Sequence, residues 1–398
     1  MPSSIRKALN ELPITLDDTY ERALQGIPRE KRQHAHRLFQ CLVAAIRPLC
    51  VEELAEIFAI DFDQDKKCNV MGGWRPENPE EAVLSTCSTL ISVIKHPDEG
   101  EDETAGIVQF SHFSVKEFLT SDRLRMSEVR SIRDYYIPLD SAHTLLARAS
   151  LAVLLDLDKK VVENHLKSFP LALYAAQNWV EHAKHEDVAS RVQGSMEDLF
   201  NPKKPHLAAW ISLHDVAKDW YREFLSFGFT LSSPLETAAL FYSALCGFNG
   251  VVEYLILTHT KDVNAHYRNL GAPLHVAAGF GHAEVVCLLL RHSANVNARC
   301  ASYFDWMPLH FASWKGYADI VQVLLDNGAE INAQATINNT PLCVASYNGH
   351  LDVVRLLLGY GADLHIRGGE SRTPFQIATN YRYVEVARLL LEHGAVKE

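Results

Sequence analysis

The chain's 398 residues include eight cysteines, yet no two of them form a C-x-x-C pair. That argues against a thiol-redox or zinc-ribbon site and leaves reduced thiols packed as small apolar residues. No apolar run approaches the roughly 18 residues a membrane-spanning helix needs. The opening Met1-Pro-Ser-Ser-Ile-Arg-Lys7 has no apolar stretch to act as a leader. The expected compartment is therefore the cytoplasm, with no membrane partner. Basic residues are the minority, 38 Lys and Arg against 49 Asp and Glu, for a formal net charge of −11. Such a chain does not attract phosphate backbones, so no nucleic-acid partner is expected.

Catalytic and metal signatures are missing as well. No G-x-S-x-G elbow occurs. His185-Glu186 lacks the second histidine of H-E-x-x-H. His34 and His36 stand two apart on a helical stripe and face different ways. His182 and His185 are spaced to meet, but no further ligand type completes a site of four. No G-x-x-x-x-G-K-[ST] loop is present to cradle phosphates. The expectation is a protein that is not an enzyme, with no catalytic residue, no metal and no cofactor. What remains is ordinary globular composition, 47% apolar and 22% charged, enough for two or three domains.

Self-similarity dominates the C-terminal part. Ala272-Pro-Leu-His275, Met307-Pro-Leu-His310, Thr340-Pro-Leu-Cys343 and Thr373-Pro-Phe-Gln376 align, their prolines spaced by 35, 33 and 33 residues. Eight residues after each proline stand Gly281, Gly316, Gly349 and Arg382. An acidic residue and an apolar run follow, as in Glu284-Val-Val-Cys-Leu-Leu-Leu290. Proline pre-sets the first turn of one helix. The glycine allows φ > 0 where that helix stops. The acid complements the dipole of a second helix. The leucine-rich face is too apolar for one helix pair, so neighbours must stack.

This pattern resembles the ankyrin family. A weaker copy from Ala239 to Ala265 brings the expected count to five repeats over 232–398. In that family a Thr and a His of T-P-L-H brace each other. Here His275 and His310 lack the Thr, and Thr340 and Thr373 lack the His, so the resemblance puts that Thr–His bracing in doubt in every repeat. Arg382 in the turn position is expected to cost about 1–2 kcal/mol and to fray the last repeat.

The resemblance implies a protein partner on the concave face. The two residues before each turn position place Phe280, Trp314, Lys315, Tyr347 and Tyr381 there. The longer connection adds an exposed tip with Tyr303 and Trp306. Aromatics of this kind carry binding energy in interfaces, and the expectation is an aromatic ladder rising one step per repeat.

Residues 1–125 read as helices followed by a hairpin. An amphipathic stripe runs over Arg29–Ile46, a short acidic helix over Val51–Phe58, and a third helix over Asn78–Val93. Extended Leu90–Ile94 and Gly106–Phe110 flank an acidic turn, Asp98–Glu103. Ser114-Val-Lys-Glu117 reads as a capping box. The order suggests a winged helix. The segments Leu9–Arg22, Arg47–Leu54 and Phe110-Ser-His-Phe-Ser-Val-Lys-Glu-Phe-Leu119 resemble the winged-helix region after the NTPase core of fungal NACHT–ankyrin signal-transduction proteins, a type also named after GPI inositol-deacylase. The resemblance implies that His112 would touch a bound nucleotide only if an NTPase core were supplied upstream or in trans. Otherwise it is a capping or packed histidine. DNA reading is the least favoured option, because Val51–Asp65 and the wing carry acids where a reader needs Arg or Lys.

Residues 126–231 show helical stripes through Ala142, Leu146, Ala149 and Val153, and from Ser168-Phe-Pro170 through Tyr174 and Trp179. They read as a spacer that also covers the first repeat. The expected whole is mainly α: winged-helix domain, helical linker and ankyrin solenoid. Its expected function is a scaffold or adaptor, the alternative being the regulatory half of a nucleotide-dependent switch.

Overall fold

A computed structural model describes residues 15–62, 68–71, 75–95, 106–158, 162, 166–217, 235–260, 262–267, 270–301, 304–336 and 339–396. The acidic turn 98–103, Asp63, Asp65, Tyr303 and the aromatic stretch at 220–224 lie outside the described residues. The chain divides into two compact units, Met1–Leu199 with Ala208–His214, and Phe200–Leu207 with Asp215–Glu398.

Among the described residues the first unit opens with α1 (Leu16–Gln25), a 3-10 turn at Arg29–Lys31 and α2 (Arg32–Ala44). Then come β1 (Leu49–Cys50), α3 (Val51–Phe58), β2 (Ile60–Asp61), β3 (Asn69–Val70), α4 (Pro79–Cys87), β4 (Ile91–Ile94) and β5 (Ile107–Phe110). The antiparallel sheet has the order β1-β5-β4, with Val108 opposite both Leu49 and Val93. Helices capped by this small sheet form a winged helix. Its core is Leu38, Phe39, Leu54, Val83, Val108, Val115 and Leu119, all buried.

Several local expectations are corrected. α4 stops at Cys87, not Val93, because the next apolar residues pair as β4. The helix after β5 is α5 (Phe113–Leu119), and its cap is His112 rather than Ser114. The Ser114 N–H donates to His112 Nδ1 at 3.3 Å. Ser168-Phe-Pro170 does not open a helix. A 3-10 turn at Leu166–Ser168 precedes α9, once α6 (Asp122–Arg125), α7 (Arg130–Arg133) and α8 (Leu139–Asp156) have passed.

α9 (Ala172–Ala183) packs on α8. The acidic face of α3 turns inward to meet this region. Glu53 and Glu56 are only 5% and 2% exposed. Arg47 holds Glu53 through both of its carboxylate oxygens and lies over the Tyr174 ring. Arg75 holds Glu56 at 2.6 Å and lies over Phe169, and the Leu171 N–H donates to the same carboxylate. Buried carboxylates persist only when paired in this way. α10 (Val188–Phe200) and α11 (His206–Leu213) follow. The Trp210 indole N–H donates to Ala176 O at 2.9 Å, and its ring meets Trp179 edge-on.

Among the described residues the second unit stacks five helix pairs: α12 (Leu235–Cys246) with α13 (Asn249–Thr258), α14 (Pro273–Phe280) with α15 (Ala283–Arg291), α16 (Pro308–Lys315) with α17 (Ala318–Asp326), α18 (Pro341–Asn348) with α19 (Leu351–Gly359), and α20 (Pro374–Asn380) with α21 (Val384–Glu392). Phe200 meets Phe248 edge-on. The Tyr242 hydroxyl donates to Asp215 at 2.5 Å. Both contacts cover the first pair.

Bracing does not fail. It is divided among different chemistries. The Ala272 N–H donates to His275 Nδ1 at 3.0 Å, and Nε2–H donates onward to Ala298 O at 2.9 Å. His310 repeats this with Met307 N and Asn339 O. In the fourth pair Thr340 accepts from Cys343 N, and the Cys343 thiol reaches Ile366 O. In the fifth, Thr373 and Gln376 exchange two hydrogen bonds. The missing halves of the motif are replaced by backbone donors and by the residue at its fourth position.

A second stitch joins neighbours. The ring one place after each turn glycine lies over the turn glycine of the preceding pair. A Cβ built on Gly316 would stand 2.7 Å from His350 Nδ1, and one on Gly281 would stand 2.9 Å from Tyr317. His350 Nε2–H also donates to Trp314 O at 2.8 Å, so that ring cannot swing aside freely. Gly316 thus meets two demands, φ of +83° and room for a ring. Arg382 takes the equivalent left-handed conformation at φ +63°.

Two measurements test these stitches. Gly316→Ala should cost about 2–3 kcal/mol, from left-handed strain and a displaced ring. Gly361→Ala, with φ +86° but open space around it, should cost about 1–2 kcal/mol. Equal urea midpoints for the two variants would refute the ring argument. Burial also holds His275 and His310 at about 4, against an ordinary 6.5. A depressed histidine contributes stability above pH 6.5 and loses it as the pH falls from about 6.5 toward about 4. Acidification across that window should remove on the order of a few kcal/mol. His275→Gln with His310→Gln should flatten the profile, and an unchanged slope would sink the assignment.

Candidate functional site

The site is built from two columns of side chains on consecutive pairs of the second unit. One column stands one residue before each motif: Trp306, Asn339 and Arg372, spaced by 33 and 33. The other is a looser row near the end of each first helix, Trp314 and Tyr347 at one register and Tyr381 one place later. Together with Cys343 and Ile377 they line a cleft of about 340 Å³. Trp306 meets Trp314 edge-on at 5.8 Å, and Tyr347 meets Tyr381 at 4.4 Å. Tyr347 and Tyr381 are 49% and 43% exposed, whereas Trp314 is half-buried. Lys315 is exposed and places its Nζ 3.9 Å over the Trp314 ring.

The aromatic ladder is only partly realised. Trp314 and Tyr347 stand two residues before their turn glycines, while Phe280 and Tyr381 stand one residue before the turn position. Neighbouring helical positions differ by about 100°, so these four cannot form one column. Phe280 does not line the cleft and stacks beside its own His282 instead. Tyr381 lines the cleft all the same, as does Asn348, which shares its register one repeat earlier.

Trp306 is not an exposed tip residue. It is 8% exposed. Its carbonyl accepts from Cys300 N at 2.8 Å, which draws it back from the tip. Its ring then stacks on His310 and meets Phe311 edge-on. The tip itself is Phe304-Asp305, two successive residues at φ +54° and +60°, as a turn of the primed type requires. Tyr303 lies outside the described residues. Sequence reasoning missed Asn339 and Arg372. Their signal was the shared register with Trp306, hidden because the three differ in chemistry. Asn339 also organises the site, its side-chain oxygen accepting from Gly369 N at 2.7 Å.

In the first unit, His112 is exposed at the head of α5, with its ring 4.4 Å from that of Phe113. Ser114 links this cap to the Tyr20 hydroxyl at 2.7 Å. His182 and His185 do converge, together with His143. The His143 and His182 Nδ1 atoms are 2.9 Å apart, His182 Nε2 meets the Tyr174 hydroxyl at 2.8 Å, and His185 stacks on His143. Burial pushes His182 down to about 3. Among the described residues no group of three or more His, Cys, Asp or Glu side chains is arranged to hold a metal. No described helix is long and apolar enough to cross a membrane.

Comparison with known proteins agrees with this architecture. The ankyrin-repeat family matches residues 240–335 and 309–398. The winged helix domain of GPI inositol-deacylase matches residues 20–129. A relative, azaphilone pigments biosynthesis cluster protein L of Monascus ruber, is 29% identical over 306 residues, covering 72% of this chain and 61% of its own length. The chain thus spans less than two thirds of that relative. It carries ankyrin repeats and a winged helix of the GPI inositol-deacylase type.

Proposed function

We propose that the chain is a non-catalytic scaffold or adaptor whose ankyrin array receives a protein partner at the cleft of Trp306, Trp314, Tyr347 and Tyr381. The observation that carries this reading is the convergence of those rings on one cleft, with both tyrosines largely exposed. Exposed aromatics of this kind supply contact area at little cost in conformational entropy. In this reading residues 1–125 are the winged helix, 126–231 a spacer and 232–398 the array. Phe280, Lys315 and Tyr303 are peripheral contacts. The protein acts in the cytoplasm without membrane or nucleic acid, and the inward-turned Glu53 and Glu56 offer DNA no basic surface.

A second reading is favoured by the winged-helix match and by the exposed His112. There the chain is the regulatory half of a nucleotide-dependent switch. His112→Ala should then alter nucleotide retention only when an NTPase core is supplied.

The scaffold reading is tested with a partner recovered by cross-linking in native cells. Tyr347→Ala with Tyr381→Ala should weaken binding by more than about 2 kcal/mol while the thermal midpoint stays nearly constant. Trp314→Ala should weaken binding as well but also lower stability, since its ring packs on Trp306. Unchanged affinity in the tyrosine variant removes the cleft from the interface.

A further inference from the structure

Resting on the scaffold reading, we propose that the cleft's occupant is a linear acidic peptide segment, an apolar or aromatic anchor side chain flanked by carboxylates. Three observations lead there.

The first is charge. The chain has 49 acidic residues against 38 basic ones, yet among the described residues no Asp or Glu lines this cleft, and the charged side chain that does is Arg372. Lys315 adds a second cation against Trp314. Arg372 in the lining and Lys315 beside Trp314 give a carboxylate from elsewhere two cations to meet. The global charge opposes an acidic partner at long range, but beyond a Debye length of about 8–10 Å that repulsion is screened, and the local cations decide.

The second is size. A cleft of about 340 Å³ sits at the low end of ligand pockets. It takes one or two side chains, not a folded domain. The apolar walls from Trp314, Tyr347 and Tyr381 suit the anchor.

The third is an unmet donor. Trp306 lines the cleft, is 92% buried by its 8% exposure, and its indole N–H has no acceptor among the described residues. A buried donor without an acceptor is costly to leave unmet. An oxygen of the bound segment, backbone carbonyl or carboxylate, supplies what it lacks.

The experiment selects phage-displayed random linear peptides on the full chain, with counter-selection on the Tyr347→Ala/Tyr381→Ala chain. Enriched peptides should carry an aromatic or aliphatic residue within a few positions of Asp or Glu. Synthetic versions should bind at least ten-fold more weakly to Lys315→Glu/Arg372→Glu, whose folding is checked by its thermal midpoint. Lys315→Gln/Arg372→Gln should show an intermediate loss and carries the test if charge reversal unfolds the chain. Enriched peptides that are neutral or basic, or that bind the charge variants equally, overturn the acidic partner and leave the cleft reading standing. No enrichment over the counter-selected chain, or peptides that bind it equally well, overturns the cleft as a peptide site, and the scaffold reading of that cleft falls with it.

Discussion

Each helix pair of the second unit has an apolar face that it cannot cover alone, and the rest of the array follows from how neighbours cover it. The leucine-rich second helices bury one another, but burial is non-directional. Orientation comes from rings laid over turn glycines and from hydrogen bonds that cross between pairs. His282 and His350 both donate to a carbonyl of the preceding pair. Asn264, Asn297 and Asn332 tie the connecting turns in the opposite sense, each accepting a backbone N–H roughly one repeat ahead. Contacts of this kind fix the spacing of equivalent positions, and that spacing brings Trp306, Asn339 and Arg372 to one cleft.

In the first unit the ordering constraint is electrostatic. Two glutamates of α3 are buried, and each is held by an arginine that also covers an aromatic ring. From sequence, Val51–Phe58 reads only as a short acidic helix. The structure uses part of its acidic face as internal ties between the winged helix and the region around Phe169, Leu171 and Tyr174. Removing either arginine would leave a buried carboxylate without its partner, a large penalty compared with losing a surface ion pair.

The repeat boundaries, the left-handed turns and the winged-helix order were legible in the sequence, because proline, glycine and apolar periodicity act locally. The positive φ at Arg382 could be read from alignment alone. Three things could not. Whether Trp306 faced solvent depended on the Cys300 pairing, a contact across a turn. The bracing seemed lost because the family motif was incomplete, while backbone donors and the Cys343 thiol were able to complete it. The column of Trp306, Asn339 and Arg372 was invisible because tryptophan, asparagine and arginine share a position without sharing a chemistry.

The divided bracing gives the array two kinds of joint. The pairs headed by His275 and His310 are locked by imidazoles that must stay neutral. The pairs headed by Thr340 and Thr373 are locked by hydroxyl, thiol and amide groups that do not titrate near neutrality. In a solenoid, stability is summed from local terms, so the two kinds of motif lock contribute to different stretches of it. The cleft lies across that seam. Its Trp306 wall rests on His310, and its tyrosine wall belongs to pairs without a histidine lock. The two walls of one cleft are therefore held by motif locks of different chemistry, one built on a buried imidazole and the other on hydroxyl, thiol and amide groups.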